Sequence, residues 1–392
     1  MDQARNAAVA VIDEVFNRGA SLDWIVSNYV TRPLKKIEPK VLSILRVGVY
    51  QLKFLDRVPD SAAVNSSVEL AKSVSVGASK FVNAVLRSIL REPSKAEFPS
   101  DDAPQSIALR TFHPTWLVER WIDQFGAERA QKFLDADNQP PPITLRVNRL
   151  KTTRAELIER LRSMKVEAQE SALVEDAIVC RKIGALDDFA PLTEGLCIIQ
   201  DESSMMAVRA LDPQPNDFVI DCCAAPGGKS THIAELMSDR GMVIAVDVHE
   251  HKMKLIADNS ARLGLRIVKP MLLDAREIGD EFKGRAARVL VDAPCSGLGV
   301  LRRKADLRWK KNPIEFEQLP ELQSEILSSA ARALKAGGVM VYSTCTLERA
   351  ENEGVVEKFL AAHDDFTLVE QKTLLPTIDG SDGFFYAKLI RD

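Results

Sequence analysis

No stretch of this sequence approaches the roughly 18 to 20 consecutive apolar residues that cross a bilayer. The amino-terminal MDQARNAAVAVIDEVFNRG breaks its apolar positions with Asp13 and Glu14, so neither a signal peptide nor a membrane segment is expected. Cysteine is sparse: there are six, at 180, 197, 222, 223, 295 and 345, with no CxxC pair and no His-x(3–5)-His spacing to complete a zinc site. A metal centre is therefore not expected, and a reducing cytoplasm is the expected location. Excess positive charge is missing too. With 52 Lys and Arg against 56 Asp and Glu, the net charge is −4, which argues against coating nucleic acid by bulk electrostatics. Any RNA contact must come from a local basic patch. There is no internal repeat and no low-complexity tract.

What is present is a chain of 392 residues, 46% hydrophobic, longer than a single core usually supports, so two or three domains are expected. Apolar residues recur at helical spacing over the first 92 residues: Ala8, Val11, Ile12, Val15 and Phe16; Leu42, Leu45, Val49 and Leu52; Val64, Val68 and Ala71; Phe81, Val85 and Ile89. Gly19 and Pro59 punctuate them. The pattern predicts an all-helical bundle, followed by a linker where EPSKAEFPSDDAPQ concentrates Pro, Ser and Asp. A boundary is expected near 92 to 105. Residues 106 to 138 read as helical again and are grouped with the bundle, giving a first domain over 1–135. Pro140, Pro141 and Pro142 then force extended chain into ITLRVN, opening a small α+β domain over 136–196. From 197 to 392 short apolar strands alternate with amphipathic helices: FVIDC, helix 229–239, VIAVDV, helix 250–262, RIVKPMLL, RVLVDA, helix 314–334 and VMVYST. That alternation predicts a doubly wound α/β domain with a parallel sheet.

In Asp221-Cys-Cys-Ala-Ala-Pro-Gly-Gly-Lys-Ser a strand ends in a glycine turn that opens a helix, where doubly wound sheets bind their ligands. A nicotinamide fingerprint needs G-x-G-x-x-G, which this turn lacks, and a phosphate-binding loop needs glycine where Cys223 stands. A ligand with ribose and adenine but no phosphates remains, and S-adenosylmethionine fits that description. Asp247 ends the next strand, where a carboxylate accepts from ribose hydroxyls, and Asp274 follows the third, within reach of an adenine amino group. The plainer reading of either aspartate is a helix cap.

Two cysteines stand at later strand ends, in Asp292-Ala-Pro-Cys295 and in Ser343-Thr-Cys345, both expected at the carboxyl edge of the sheet. Carbon 5 of a cytosine is too weak a nucleophile to attack a sulfonium methyl until a thiolate has added at carbon 6, and cysteine supplies one. Asp292 could then bond the cytosine edge, with Lys229 orienting it. Cys180, Cys197 and Cys222 read as small buried residues, and Cys223 as lending backbone to the cofactor. Arg302, Arg303, Lys304, Arg308, Trp309 and Lys310, beside that edge, read as a strip that grips an RNA backbone around a stacking platform. A charge run is otherwise a solvated face.

DCCAAPGGKS, DAPCSGLGVLRRKADLRW, YSTCTLERAENEGVV and the terminal GFFYAKLIR together resemble the RNA cytosine-5 methyltransferases of the NOL/NOP2/Sun type. The resemblance implies a class I methyltransferase domain in which Cys345 is the nucleophile and Cys295 assists product release. It also implies cofactor contacts from Cys223, Ala224, Ala225, Pro226, Gly227, Gly228, Lys229, Asp247, Asp274 and Asp292. The segment KVLSILRVGVYQLKFLDRVPDSAAVNSSVELAKSVSVGASKFVNAVLRSIL is similar to the NusB fold, an RNA-binding helical bundle. The small middle domain is expected to be RRM-like. The fusion implies a bacterial family member acting on 16S rRNA, at cytosine 967, before the subunit is fully assembled, as a monomer. Lys304-Ala305 stands where the family pattern has His-Pro, and Thr346 where serine is usual. These departures bear on target choice. A DNA cytosine methyltransferase would need a separate target-recognition domain, which is not found after residue 345. A non-catalytic RNA-binding module is the reading from another class, against which Cys345, Asp292 and the paired glycines speak.

Overall fold

The computed structural model describes residues 14–181, 183–184, 186, 188–311 and 315–392. The expected helical positions Ala8, Val11 and Ile12 lie outside the described residues, as does the start of the expected helix 314–334. The described chain forms two compact units, one of residues 1–138 with 305–310 and one of 139–304 with 311–392.

The first unit is helical throughout. Pro39–Phe54, Asp60–Lys72 and Val76–Arg91 bury Leu45, Val49, Val64, Ala71, Val85 and Ile89 in a common core with Leu22, Ile25 and Val26 of the helix Gly19–Ser27. The apolar spacing is thus the core-facing stripe. Ser75 caps the helix that follows it by accepting from the Ala78 amide at 3.0 Å. Phe16 departs from the pattern and is exposed. The segment at 92–105, where a linker is expected, packs against the helices. Phe98 packs its ring 5.5 Å from Trp24 and 6.3 Å from Phe112, and Ser21 Oγ donates to the Leu109 carbonyl at 2.8 Å. The Pro and Ser content stops a helix there without freeing the chain, because the aromatic residue within it still finds the core.

The second unit contains two sheets. The smaller is antiparallel, β1 (Ile143–Val147), β2 (Glu167–Glu170), β3 (Ala177–Arg181) and β4 (Cys197–Ile199) in the order β2-β3-β1-β4. The helix Arg154–Ser163 follows β1, opened by a reciprocal capping box between Thr153 and Glu156. Since Cys197–Ile199 pairs with β1, the small sheet runs past the expected limit at 196. The larger sheet has the order β10-β11-β9-β8-β5-β6-β7, with β5 (Phe218–Cys222), β6 (Met242–Asp247), β7 (Val268–Leu272), β8 (Ala286–Asp292) and β9 (Leu334–Thr344) parallel. Two further strands, β10 (Phe366–Leu374) and β11 (Phe384–Arg391), join it antiparallel at one edge. The sheet is therefore mostly parallel, as expected of a doubly wound domain. Connections from β5 to β6 and β6 to β7 run through the helices Gly228–Leu236 and Glu250–Leu263.

The sheets are tied through Arg146 of β1, which is fully buried. Its guanidinium donates to both carboxylate oxygens of Glu235 at 2.9 and 3.1 Å, to Thr231 Oγ1 at 3.0 Å, to the Gly228 carbonyl at 2.6 Å and to Gln200. These five bonds use all five donors of the group. Beside it, Asn148 Nδ2 donates to the carbonyls of Gly195 and Leu263, both at 2.9 Å. Breaking a buried ion pair from one side strands the other charge. Arg146→Met should therefore lower unfolding stability by about 3–5 kcal/mol in urea titrations, and adding Glu235→Leu should recover much of that loss.

Candidate active site

The loops at the carboxyl ends of β5, β6, β8 and β9 converge on one edge of the large sheet. At the end of β5, Cys223 takes a left-handed conformation (φ +63°) and Gly227 another (φ +98°). Ala224 N bonds the Val246 carbonyl of β6 at 2.7 Å, and Gly227 N bonds the Ala224 carbonyl at 2.8 Å. A Cβ on Gly227 would lie 3.2 Å from Ile256 Cα. Glycine is thus required there both by its backbone angle and by the close approach of the neighbouring helix. Gly228 then begins a helix that places Lys229 over the sheet edge.

Lys229 Nζ lies 2.7 Å from Asp292 Oδ2, at the end of β8, and Ser343 Oγ of β9 donates to Asp292 Oδ1 at 2.9 Å. Burial alone would lower the lysine pKa, but the Asp292 carboxylate outweighs it and the ammonium is held above its ordinary value. The same ammonium sits 5.5 Å from the centre of the Phe384 ring. Cys295 and Cys345 bring their sulfurs to 3.3 Å. The hydrogen bond between them lowers the Cys345 thiol and raises that of Cys295. Burial and Asp292 oppose the fall at Cys345, while Lys229 and Lys304 favour it. The pair is therefore polarised, with Cys345 as the better thiolate and Cys295 as the thiol that donates to it.

The remaining cysteines behave differently. Burial pushes Cys180 up to about 11 and Cys197 up to about 12, and raises Cys222 and Cys223 as well. None of these four is a thiolate at neutral pH.

A cleft of about 290 Å³ opens beside this centre. Cys223, Asp247, Asp274, Pro294, Leu322 and Ile326 are among its walls. Asp247 accepts from the amides of Ala225 (3.3 Å) and His249 (3.0 Å). Asp274 also does the plainer job foreseen for it. It caps the turn Ala275–Glu277 through the Arg276 amide and pairs with the Arg276 guanidinium at 2.7 Å. Among the described residues no cluster of three or more His, Cys, Asp or Glu could hold a metal ion, and no helix is long and apolar enough to cross a membrane.

The basic strip is the part of the sequence reading that the structure corrects. Arg302 and Arg303 both pair with the buried Asp382, and Arg303 also reaches Asp201 at 2.8 Å. Arg308, 2% exposed, donates to the Phe112 carbonyl (3.1 Å) and to Asn138 Oδ1 (3.0 Å). Trp309 donates to the Asn17 carbonyl at 2.9 Å, and Lys310 pairs with Asp306. The strip reads as a surplus of cations because the acids that hold Arg302 and Arg303 lie far away in sequence. Lys304 is exposed, with no ion-pair partner among the described residues, and its charge favours the Cys345 thiolate. Thr346, at the position where serine is usual, shares a hydrogen bond of 2.7 Å with Ser296 Oγ.

Several further residues of the site were given no role from sequence. Arg146 and Gln200 hold the cofactor turn from behind, Ser343 holds Asp292, and Gly299 and Gly383 cross so closely that a Cβ on Gly299 would meet the Gly383 carbonyl oxygen at 2.0 Å. An arginine in the otherwise apolar strand ITLRVN was the only available hint.

Family comparisons agree with this architecture. The model described as 16S rRNA methyltransferase RsmB/F matches residues 208–390, that of the NusB family residues 1–91, and that of the ferredoxin-like domain of RsmF/B-like methyltransferases residues 113–186. The chain is 40% identical to the probable ribosomal RNA small subunit methyltransferase B of Bacillus subtilis, across 99% of this chain and 91% of that protein. It is 34% identical to ribosomal RNA small subunit methyltransferase B of Escherichia coli, across 95% and 87%. Among solved structures, PH0851 superposes with a TM-score of 0.83 at 30% identity, covering 98% of this chain and 90% of that one. NSun6 from Pyrococcus horikoshii with SFG does so with a TM-score of 0.65 at 25% identity, covering 71% and 98%. With a NusB-like helical domain, a small ferredoxin-like domain and a Rossmann-like methyltransferase domain in one chain, this protein belongs to the RsmB/F family of 16S rRNA methyltransferases.

Proposed function

We propose that this methyltransferase modifies carbon 5 of a cytosine in 16S rRNA, with S-adenosylmethionine as the methyl donor and Cys345 as a covalent nucleophile. The observation that carries the reading is the approach of the Cys345 and Cys295 sulfurs to 3.3 Å, beside the Lys229–Asp292 ion pair.

The cleft suits the donor. Asp247 offers a carboxylate to a ribose diol, Asp274 stands at the base edge, and Leu322, Ile326 and Pro294 give an apolar wall. The turn from Cys223 to Lys229 presents backbone to the methionine part. When bound, the cofactor would supply an electrophilic methyl group, the electron pair of the broken methyl–sulfur bond staying on its own sulfur. The chain's own residues do the rest. An extruded cytosine places its amino edge against Asp292, which is held by Lys229 and Ser343 and accepts from the amino group, orienting the ring for attack at carbon 6. The Cys345 thiolate adds at carbon 6, and the electron pair of the C5–C6 double bond becomes available at carbon 5 to form the new C–CH₃ bond. The C5 proton then leaves to water. Its bonding pair restores the double bond while the C6–S pair returns to Cys345. Cys295 assists this last step by donating a hydrogen bond to the departing thiolate. Lys304, exposed and near the sulfur pair, is the member of the basic strip best placed to meet an RNA phosphate.

Incubating labelled donor and small-subunit rRNA with three proteins tests this assignment. Wild type should form 5-methylcytosine, Cys345→Ala should form none, and Cys295→Ala should leave a protein–RNA adduct that survives denaturation. Methylation by Cys345→Ala would remove it as nucleophile. The pH profile provides a second check. Attack requires the thiolate, so the rate should fall on the acid side as Cys345 takes up its proton, at a pH below the ordinary thiol value. Lys229→Met removes a charge that favours the thiolate, so the acid limb should move to higher pH and the rate should drop by about 10²-fold. An unmoved limb would show that Lys229 does not act on the sulfur.

A further inference from the structure

Cys295 lies between two residues whose backbones are held by the same pair of buried side chains. Gln323, fully buried, donates from Nε2 to the Pro294 carbonyl and to Glu351 Oε2, each at 2.9 Å. The same Glu351 oxygen accepts the Ser296 amide at 2.9 Å. The chain is thus fixed immediately before and immediately after the sulfur-bearing residue. Glu351 itself stands six residues beyond Cys345, and Tyr342 Oη, on the strand leading to that cysteine, donates to the Glu351 carbonyl at 2.6 Å. The contact between Ser296 and Thr346 closes the ring. Both cysteine loops therefore meet at Glu351.

A scaffold alone would not call for a carboxylate here. Glu351 is 1% exposed and its Oε1 has no hydrogen-bond partner, and neither has Gln323 Oε1. An unpaired buried acceptor is destabilising. A glutamine could keep the two bonds to Oε2 without carrying a charge. What glutamate adds is negative charge beside Cys295, which opposes ionisation of that thiol along with its bond to Cys345 and its burial.

We propose that Glu351, through Gln323 and the Ser296 amide, is a positioning residue for product release: it holds Cys295 as a thiol aimed at the Cys345 sulfur. This inference rests on the two-cysteine reading above. When the C6–S bond breaks, the electron pair goes to Cys345, and the Cys295 S–H, fixed by this clamp, is the donor that receives it as a hydrogen-bond acceptor. Loss of the Glu351 charge lets Cys295 ionise at lower pH, and an ionised Cys295 cannot donate.

Single-turnover reactions with labelled 16S rRNA and S-adenosylmethionine across a pH series test the role, reading methyl incorporation and denaturation-resistant adduct separately. Glu351→Gln should still transfer the methyl group, but its adduct should begin to persist about one pH unit lower than in wild type. Gln323→Ala keeps the charge and frees Pro294, so it should accumulate adduct without that pH displacement. A Glu351→Gln enzyme that clears its adduct like wild type at every pH overturns the proposal. So does one in which methylation and adduct formation fall together with no change in pH profile, which marks a merely structural residue. Cys295→Ala run alongside separates the two ideas. If it traps adduct while the Glu351 variant does not, only this role fails; if it traps none, the two-cysteine reading fails and this role falls with it.

Discussion

The Arg146 guanidinium is the contact on which the site's geometry most depends. It sits on a strand of the small sheet, yet its bonds go to Glu235, Thr231 and the Gly228 carbonyl, all on the helix that opens the cofactor turn, and to Gln200 just after β4. A buried guanidinium is tolerable only when its donors are met, so the small sheet and this helix cannot separate without exposing or stranding two charges. Asn148, two residues on, holds the end of the following helix in the same way. The small domain thus acts as a brace behind the turn, and the position of Lys229 on the sheet edge follows from it.

That edge is crowded with negative charge. Asp221, Asp247 and Asp292 end three neighbouring strands, and burial, with Asp292 and Asp247 adding to it, raises the Asp221 carboxyl to about 7. Ser230 donates to its Oδ2, while its Oδ1 is left without a partner. A thiolate at Cys345 is opposed by burial and by Asp292. Cys345 is favoured against them by one ammonium held over a ring face and by a second cysteine that donates to it. The two-cysteine arrangement is in this sense a response to the electrostatics of a carboxylate-lined edge.

The strands and turns bearing chemistry could be read in sequence because each combines a local period with a local exception. FVIDC followed by a glycine turn, and cysteines two or three residues beyond apolar strands, identify themselves at short range. Fold elements defined by distant partners could not be read this way. Arg302, Arg303 and Arg308 looked like an RNA grip because nothing nearby neutralised them, while Asp382, Asp201 and the Phe112 carbonyl lie some 80 to 200 residues away along the chain. Cys197–Ile199 read as the start of the large domain because three apolar residues do not reveal which sheet they will join. The hairpin of β10 and β11 went unread as antiparallel because a buried strand has the same apolar run in either direction.

That hairpin completes the catalytic edge. Gly383, just before β11, donates its amide to the Gly299 carbonyl at 2.8 Å, and Gly299 donates to the Cys345 carbonyl at 3.0 Å. Only two glycines permit such an approach, and it joins the proline-cysteine loop, the threonine-cysteine loop and the last strand into one stack. Asp382, the residue before Gly383, then receives Arg302 and Arg303, so both arginines hold the floor beneath the two cysteines. Arg302 and Arg303 are thus engaged in fixing this loop, while Lys304, the next residue, is exposed.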